Sequence, residues 1–160
     1  MNVFARIGFG AAAGGIATYL MDAVTELLYT EDIARREREV QDKSASQVLA
    51  ARILNALDLQ PSDADVQKVA SLLHWALGIK SGALAGLLAG EGAGGGAALA
   101  VAAAMFAFDE AGLWLIGAAA PPTKYPWQTN LRSVLGHAAY GISLAAAYEA
   151  LHALAERPRR

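Results

Sequence analysis

VASLLHWALGIKSGALAGLLAG, residues Val69–Gly90, holds one histidine and one lysine in an otherwise apolar run punctuated by glycine. As an α-helix rising 1.5 Å per residue it extends about 33 Å, enough to cross a hydrocarbon core of about 30 Å. Within it His74, Gly78, Gly82, Gly86 and Gly90 recur every four residues and fall on one slowly slanting face. Small residues at that spacing let helix backbones approach closely in lipid, so this face predicts a helix partner. Lys80 argues the other way, because a charge near mid-helix is costly in a bilayer. Its stem can snorkel, or its ammonium can pair with an acid inside a bundle. With a mean hydropathy of only +0.31, Lys80 keeps a soluble, alanine-rich helical bundle as the competing reading.

Three more runs of this kind flank the first. Apolar residues make up 55% of the 160-residue chain, and its charges crowd into Glu26 to Lys68 and the last few positions. That segregation favours a bilayer. The expected fold is all-α: a single domain, 1–160, forming an integral membrane four-helix bundle with spans 4–29, 69–90, 94–117 and 131–154. Met1 to Tyr29 is read as a retained span and not a signal peptide, since its apolar run is long and Arg6 is its only early cation. Pro121-Pro122-Thr123-Lys124-Tyr125-Pro126 cannot continue a helix and separates the last two spans. The loop 30–68 reads as two short helices, Glu31–Gln41 and Ser44–Leu57. The second is amphipathic, with Val48, Ala51, Ile53, Leu54 and Leu57 largely on one side, as suits a membrane surface. Trp75, Trp114, Tyr125 and Trp127 fall at the span ends that meet these loops, where interfacial aromatics belong.

The two halves of the chain resemble each other. His74-Trp75-Ala76-Leu77-Gly78 aligns with His137-Ala138-Ala139-Tyr140-Gly141, and Asp22 aligns with Asp109, which predicts two tandem two-helix repeats. An even number of spans per repeat makes this a parallel repeat about an axis along the membrane normal. Asp22, His74, Asp109 and His137 then share one depth near the loop side, with Glu26 and Glu110 beside them. Gly10, Gly14, Thr18, Asp22 and Glu26 recur every four residues on the first span, a second small and polar stripe. The stripes of Gly10 and Gly14 and of Gly78 to Gly90 read as a glycine zipper that turns the polar groups inward. Which of Asp109 and Glu110 faces in stays open.

Ionisable groups within a span pair with each other, line a polar cavity or bind something. Asp–His hydrogen bonds joining span one to two and three to four would staple the bundle. Asp22, His74, Asp109 and His137 also make a candidate ligand set for a divalent metal, as helix bundles use, though the Glu-x-x-His spacing of ferritin-like centres is absent. His74 and His137 on equivalent helices are candidate axial ligands for haem b, against which the neighbouring acids count. Proton or cation passage along the layer is a third use. His152 reads as an interface residue. Gly92 to Gly96 has neither the lysine nor the strand of a phosphate loop, so enzyme function has no positive support. No cysteine is present, and no basic stripe interleaved with aromatics points to nucleic acid.

Gly14-Gly15-Ile16-Ala17-Thr18 with Met21-Asp22, His74 with Gly78, Asp109-Glu110, Pro121-Pro122-Thr123-x-Tyr125-Pro126 and His137-x-x-Tyr140-Gly141 resemble the pattern of the YagU-like bacterial inner-membrane proteins. The resemblance covers most of the chain, and implies a multi-pass inner-membrane protein without an established activity and without catalytic residues to carry over. Lys80 and the charged first loop depart from that pattern. The loop side carries Arg35, Arg36, Arg38, Lys43, Arg52, Lys68, Lys124 and Arg132, against Arg6, Lys80, Arg157, Arg159 and Arg160 on the other. That balance favours loops 30–68 and 118–130 in the cytoplasm. The expected function is non-enzymatic, with a structural or small-ligand Asp/His layer. The alternatives are an accessory subunit of a larger membrane complex, docked through an exposed Gly78–Gly90 face, and a proton or cation transporter. A homo-oligomer is also compatible.

Overall fold

The computed structural model describes residues 2–89 and 95–156, and every described element is helical. In chain order these are α1 (Val3–Leu27), α2 (Glu31–Val40), α3 (Ala45–Ala56), α4 (Asp63–Leu88), α5 (Gly95–Leu115) and α6 (Trp127–Ala155). A 3-10 turn, Pro122–Lys124, occupies the proline segment between α5 and α6. α1, α4 and α5 are long and apolar enough to cross a membrane. α6, with 29 residues, is longer still but less apolar, carrying Arg132, His137, Glu149 and His152.

α1 packs against α4 and α6, α6 also packs against α5, and α4 meets α5 only lightly. The centre is filled by small residues such as Ala13, Ala17 and Ala102 around the fully buried Tyr140 and Leu144. Many of the large aliphatic side chains, including Leu72, Leu88 and Ile142, point outward instead. Small inside and large outside is the arrangement expected where lipid, not water, is the outer solvent. Lys80 lies on the exposed outer face of α4, and forms no ion pair among the described residues. It sits about 12 Å from the end of the helix at 1.5 Å per residue, within reach of an interface for a snorkelling stem.

The glycines of α4 are spent inside the bundle. An added Cβ at Gly82 would fall against Gly10 and Gly14, one at Gly86 against Arg6 and Gly10, and one at Gly14 against Gly78 and Gly82. In each case the obstacle is the backbone of α1 or α4, so these two helices touch main chain to main chain. The expected exposed docking face along Gly78–Gly86 is therefore corrected: α1 already covers it. Gly90, expected on the same stripe, lies outside the described residues, as do Arg157, Arg159 and Arg160. Gly94 at the expected start of the third span does too.

α4 begins at Asp63, ahead of the expected Val69, because Ser62 caps it. Its hydroxyl accepts from the Asp65 amide while Asp65 accepts from the Ser62 amide, a reciprocal capping box. The added turns give α3 a partner. Ala50 is fully buried against Val66 and Ala70, and Ala51 and Leu54 pack beside it. So α3 docks on α4, and only Ile53 and Leu57 of its expected apolar face remain exposed. α5 ends where Gly117 takes φ of +69°. Its amide donates to Trp114 and that of Ala118 to Leu113, a Schellman closure that needs glycine at the left-handed position.

Candidate functional site

Each half of the chain forms one Asp–His pair. His74 Nε2 donates to Asp22 Oδ1 at 2.8 Å, tying α4 to α1. In the second half, His137 Nε2 on α6 lies 3.1 Å from Asp109 Oδ2 on α5. The two pairs differ in environment. The Asp22 and His74 side chains are 42% and 37% exposed at the α1–α4 seam, whereas the His137 side chain is only 5% exposed.

Asp109 and Glu110 sit in a π-helical turn, Phe108–Gly112, within α5. The Leu113 amide donates to the Phe108 carbonyl, an i→i+5 bond, so this turn carries one residue more than an α-helical turn. The wider turn resolves which acid faces in: both do. Asp109 and Glu110 together line a cavity of about 240 Å³ at the loop end of the bundle. His137, Ser133, Thr129, Asn130 and Arg132 from α6 face the same space, and Tyr125 and Pro122 close its loop side. Glu26 is exposed and does not join it.

His137 has a neighbour at each ring nitrogen. Its Nδ1–H donates to the Ser133 carbonyl at 2.9 Å, which fixes the proton on that nitrogen in the neutral ring. Nε2 faces Asp109 Oδ2 at 3.1 Å, close enough to ion-pair though not aligned for a regular hydrogen bond. Thr129 Oγ1 is buried and unpartnered. Phe106 meets the His137 ring edge to face with centroids 5.5 Å apart, holding its orientation. The cavity therefore offers two carboxylates, Asp109 and Glu110, the first of them facing His137. Its one cation, Arg132, is neutralised by Glu37 at 2.7 Å.

The expected four-residue metal set, Asp22, His74, Asp109 and His137, is not assembled. The described residues contain no group of three or more His, Asp and Glu side chains placed to hold a metal ion. Asp22 and His74 face each other across α1 and α4, while Asp109 and His137 face each other across α5 and α6. Four ligands at one depth had been expected to converge, but helices that pair two by two leave the pairs separate.

Loop contacts that hold the cavity's mouth had no signal in the sequence. Arg132 donates to Glu37, lies over the Tyr29 ring at 4.1 Å, and Tyr29 in turn donates its hydroxyl to Glu37 at 3.0 Å. Burial, reinforced by the Glu37 carboxylate, raises the Tyr29 phenol above its ordinary pKa. Gln41 spans the two loops, donating to the Ala118 carbonyl at 3.0 Å and accepting from the Ala120 amide at 2.8 Å. Arg52 donates to the carbonyls of Ile116 and Gly117, capping the negative end of α5. Across the bundle, the buried Tyr140 hydroxyl donates to the Gly78 carbonyl at 2.6 Å. Comparison with family models, curated proteins and solved structures finds no match to this chain.

Proposed function

We propose that this chain is a four-span membrane protein in which the Asp22–His74 pair is a structural staple and the Asp109/Glu110/His137 cavity is a non-enzymatic binding site. The site takes a small, positively charged ligand rich in N–H donors. Four spans follow if α6 crosses with α1, α4 and α5, its His137 buried and its Arg132 paired with Glu37, though Glu149 stays exposed; the two Asp–His pairs support the tandem two-helix repeat. The motif-level likeness to the YagU-like inner-membrane proteins and the basic loop side fit a multi-pass inner-membrane protein with loops 30–68 and 118–130 in the cytoplasm.

The observation that carries the binding reading is one cavity that gathers two carboxylates, Asp109 and Glu110, while the Arg132 guanidinium in its lining is already paired with Glu37. An ammonium donating to the Glu110 and Asp109 carboxylates would make charge-assisted hydrogen bonds, the stronger kind. Ethylammonium tests this directly. At ten times its Kd it should stabilise the purified protein by about 1.4 kcal/mol, raising the unfolding midpoint, while tetramethylammonium, which has no N–H, should not. Asp109→Asn should abolish the shift, and Asp22→Asn, at the other pair, should lower basal stability but keep it. Equal responses to the two cations would overturn the binding reading.

A further inference from the structure

A second space of about 350 Å³ lies at the loop end of the bundle, walled on one side by Ala34, Glu37, Arg38 and Gln41 of α2. Tyr125, Thr129 and Arg132 line both this vestibule and the Asp109/Glu110 cavity, so the two spaces share a wall. Arg132 is the charge in that wall. α2 itself is lightly held. Ala34 is its one buried residue, and part of its charge is met within the helix, Asp32 pairing with Arg36 at 3.0 Å. A helix that buries so little apolar surface opens at low cost.

The Arg132–Glu37 pair is more enclosed than the rest of α2, with side chains only 19% and 16% exposed. An enclosed ion pair that loses one partner leaves an uncompensated charge, which is strongly unfavourable. When α2 lifts, Glu37 leaves with it while Arg132 stays on α6. Asp109 and Glu110 then offer carboxylates in the cavity that Arg132 already lines.

We propose that α2 is a lid that regulates the cation site through Glu37. Docked, Glu37 holds Arg132 and leaves the two cavity carboxylates to the ligand; lifted, it returns the guanidinium charge to the cavity, where it competes with the ligand. Glu37 is thus a positioning residue that acts through Arg132. The inference rests on the binding reading above and adds the regulation of that site. Tyr29 completes the lid's catch, its ring 4.1 Å from the guanidinium and its hydroxyl donating to Glu37 at 3.0 Å. Linkage makes the coupling reciprocal: docking of the lid favours the ligand, and the ligand favours docking of the lid. Occupancy of the cavity is thereby reported to the loop side as the position of α2.

The test titrates ethylammonium into the full-length protein in detergent micelles while amide exchange follows α2. Ethylammonium should slow exchange across Glu31–Val40 in wild type. Glu37→Gln should weaken ethylammonium binding about tenfold, within the usual range of allosteric coupling. Adding Arg132→Gln to Glu37→Gln should recover the lost affinity, because the competing cation is gone. Unchanged exchange in α1 and α4 verifies that both variants fold. Wild-type affinity in Glu37→Gln, or a loss that Arg132→Gln does not recover, overturns the lid and leaves the binding reading standing. Ethylammonium that binds without slowing exchange in α2 does the same. Failure of ethylammonium to bind wild type overturns the binding reading, and the lid falls with it.

Discussion

Gly82→Ala should destabilise the bundle although it improves helix propensity, because α1 and α4 meet through their backbones. The new Cβ would lie 2.6 Å from Gly14 Cα and 2.8 Å from Gly14 N, with the Gly10 carbonyl oxygen nearer still. Comfortable carbon contacts lie at roughly 3.5–4.0 Å, so the helices must part by on the order of 1 Å. No side chain can rotate away, since the obstacles are main-chain atoms. Overpacking of this kind costs about 1–3 kcal/mol. The same displacement would stretch the 2.8 Å bond between His74 and Asp22 beyond hydrogen-bond range, so the staple fails with the packing. Gly8 is the matched control, because a Cβ there meets nothing within 4 Å. Alanine at that position should hold stability or raise it by up to about 1 kcal/mol through propensity alone. Reversible unfolding in mixed micelles, followed by tryptophan fluorescence, reads both variants, and loss of the His74 Nε2–H resonance reports the staple. If Gly82→Ala and Gly8→Ala unfold together, the backbone contact between α1 and α4 is wrong.

Tyr140→Phe removes the donor to the Gly78 carbonyl at the centre of the bundle and should cost about 0.5–1.5 kcal/mol in the same assay, with Tyr148→Phe as comparison. Glu37→Gln should release α2 from α6, seen as faster amide exchange across Glu31–Val40 with α1 and α4 unchanged. The Tyr29 phenol belongs to the same latch, and its pKa is raised in the folded state. The stabilisation is therefore present below the ordinary tyrosine value near 10 and is lost as pH rises through the folded value, so α2 should loosen above about pH 10 in wild type and not in Tyr29→Phe. Arg52→Ala should expose the end of α5, with faster exchange at Gly117 and Ala118 while the ethylammonium response persists.

The long helices were legible in the length of their apolar runs, and the Gly10/Gly14 and Gly78–Gly86 stripes marked faces that the structure packs against each other. The Asp–His pairing of the first span with the second and of the third with the fourth was legible as a way for ionisable groups in apolar helices to satisfy each other. The number of sites was not. One layer at one depth predicted a single ligand set, whereas pairing of neighbouring helices gives two pairs with different exposure. The inward turn of both Asp109 and Glu110 was hidden because the i→i+3 and i→i+4 rules assume an unbroken α-helix, which the π turn is not. Gln41, Arg52 and the Tyr29–Glu37–Arg132 group were hidden for another reason. Their partners are backbone carbonyls or side chains remote in the chain, and periodicity carries no information about such contacts.

The π turn at Phe108–Gly112 has a consequence for how this cavity can be inherited. Because the turn differs from an α-helical one by a single residue, loss of one codon there would restore regular winding and rotate one of the two acids away from α6. A cavity with two carboxylates would become a cavity with one in a single genetic event, without touching the helices that hold the bundle together. Relatives sharing this fold should therefore fall into two length classes over this turn, distinguished by an insertion or deletion and not by gradual substitution at Asp109 or Glu110.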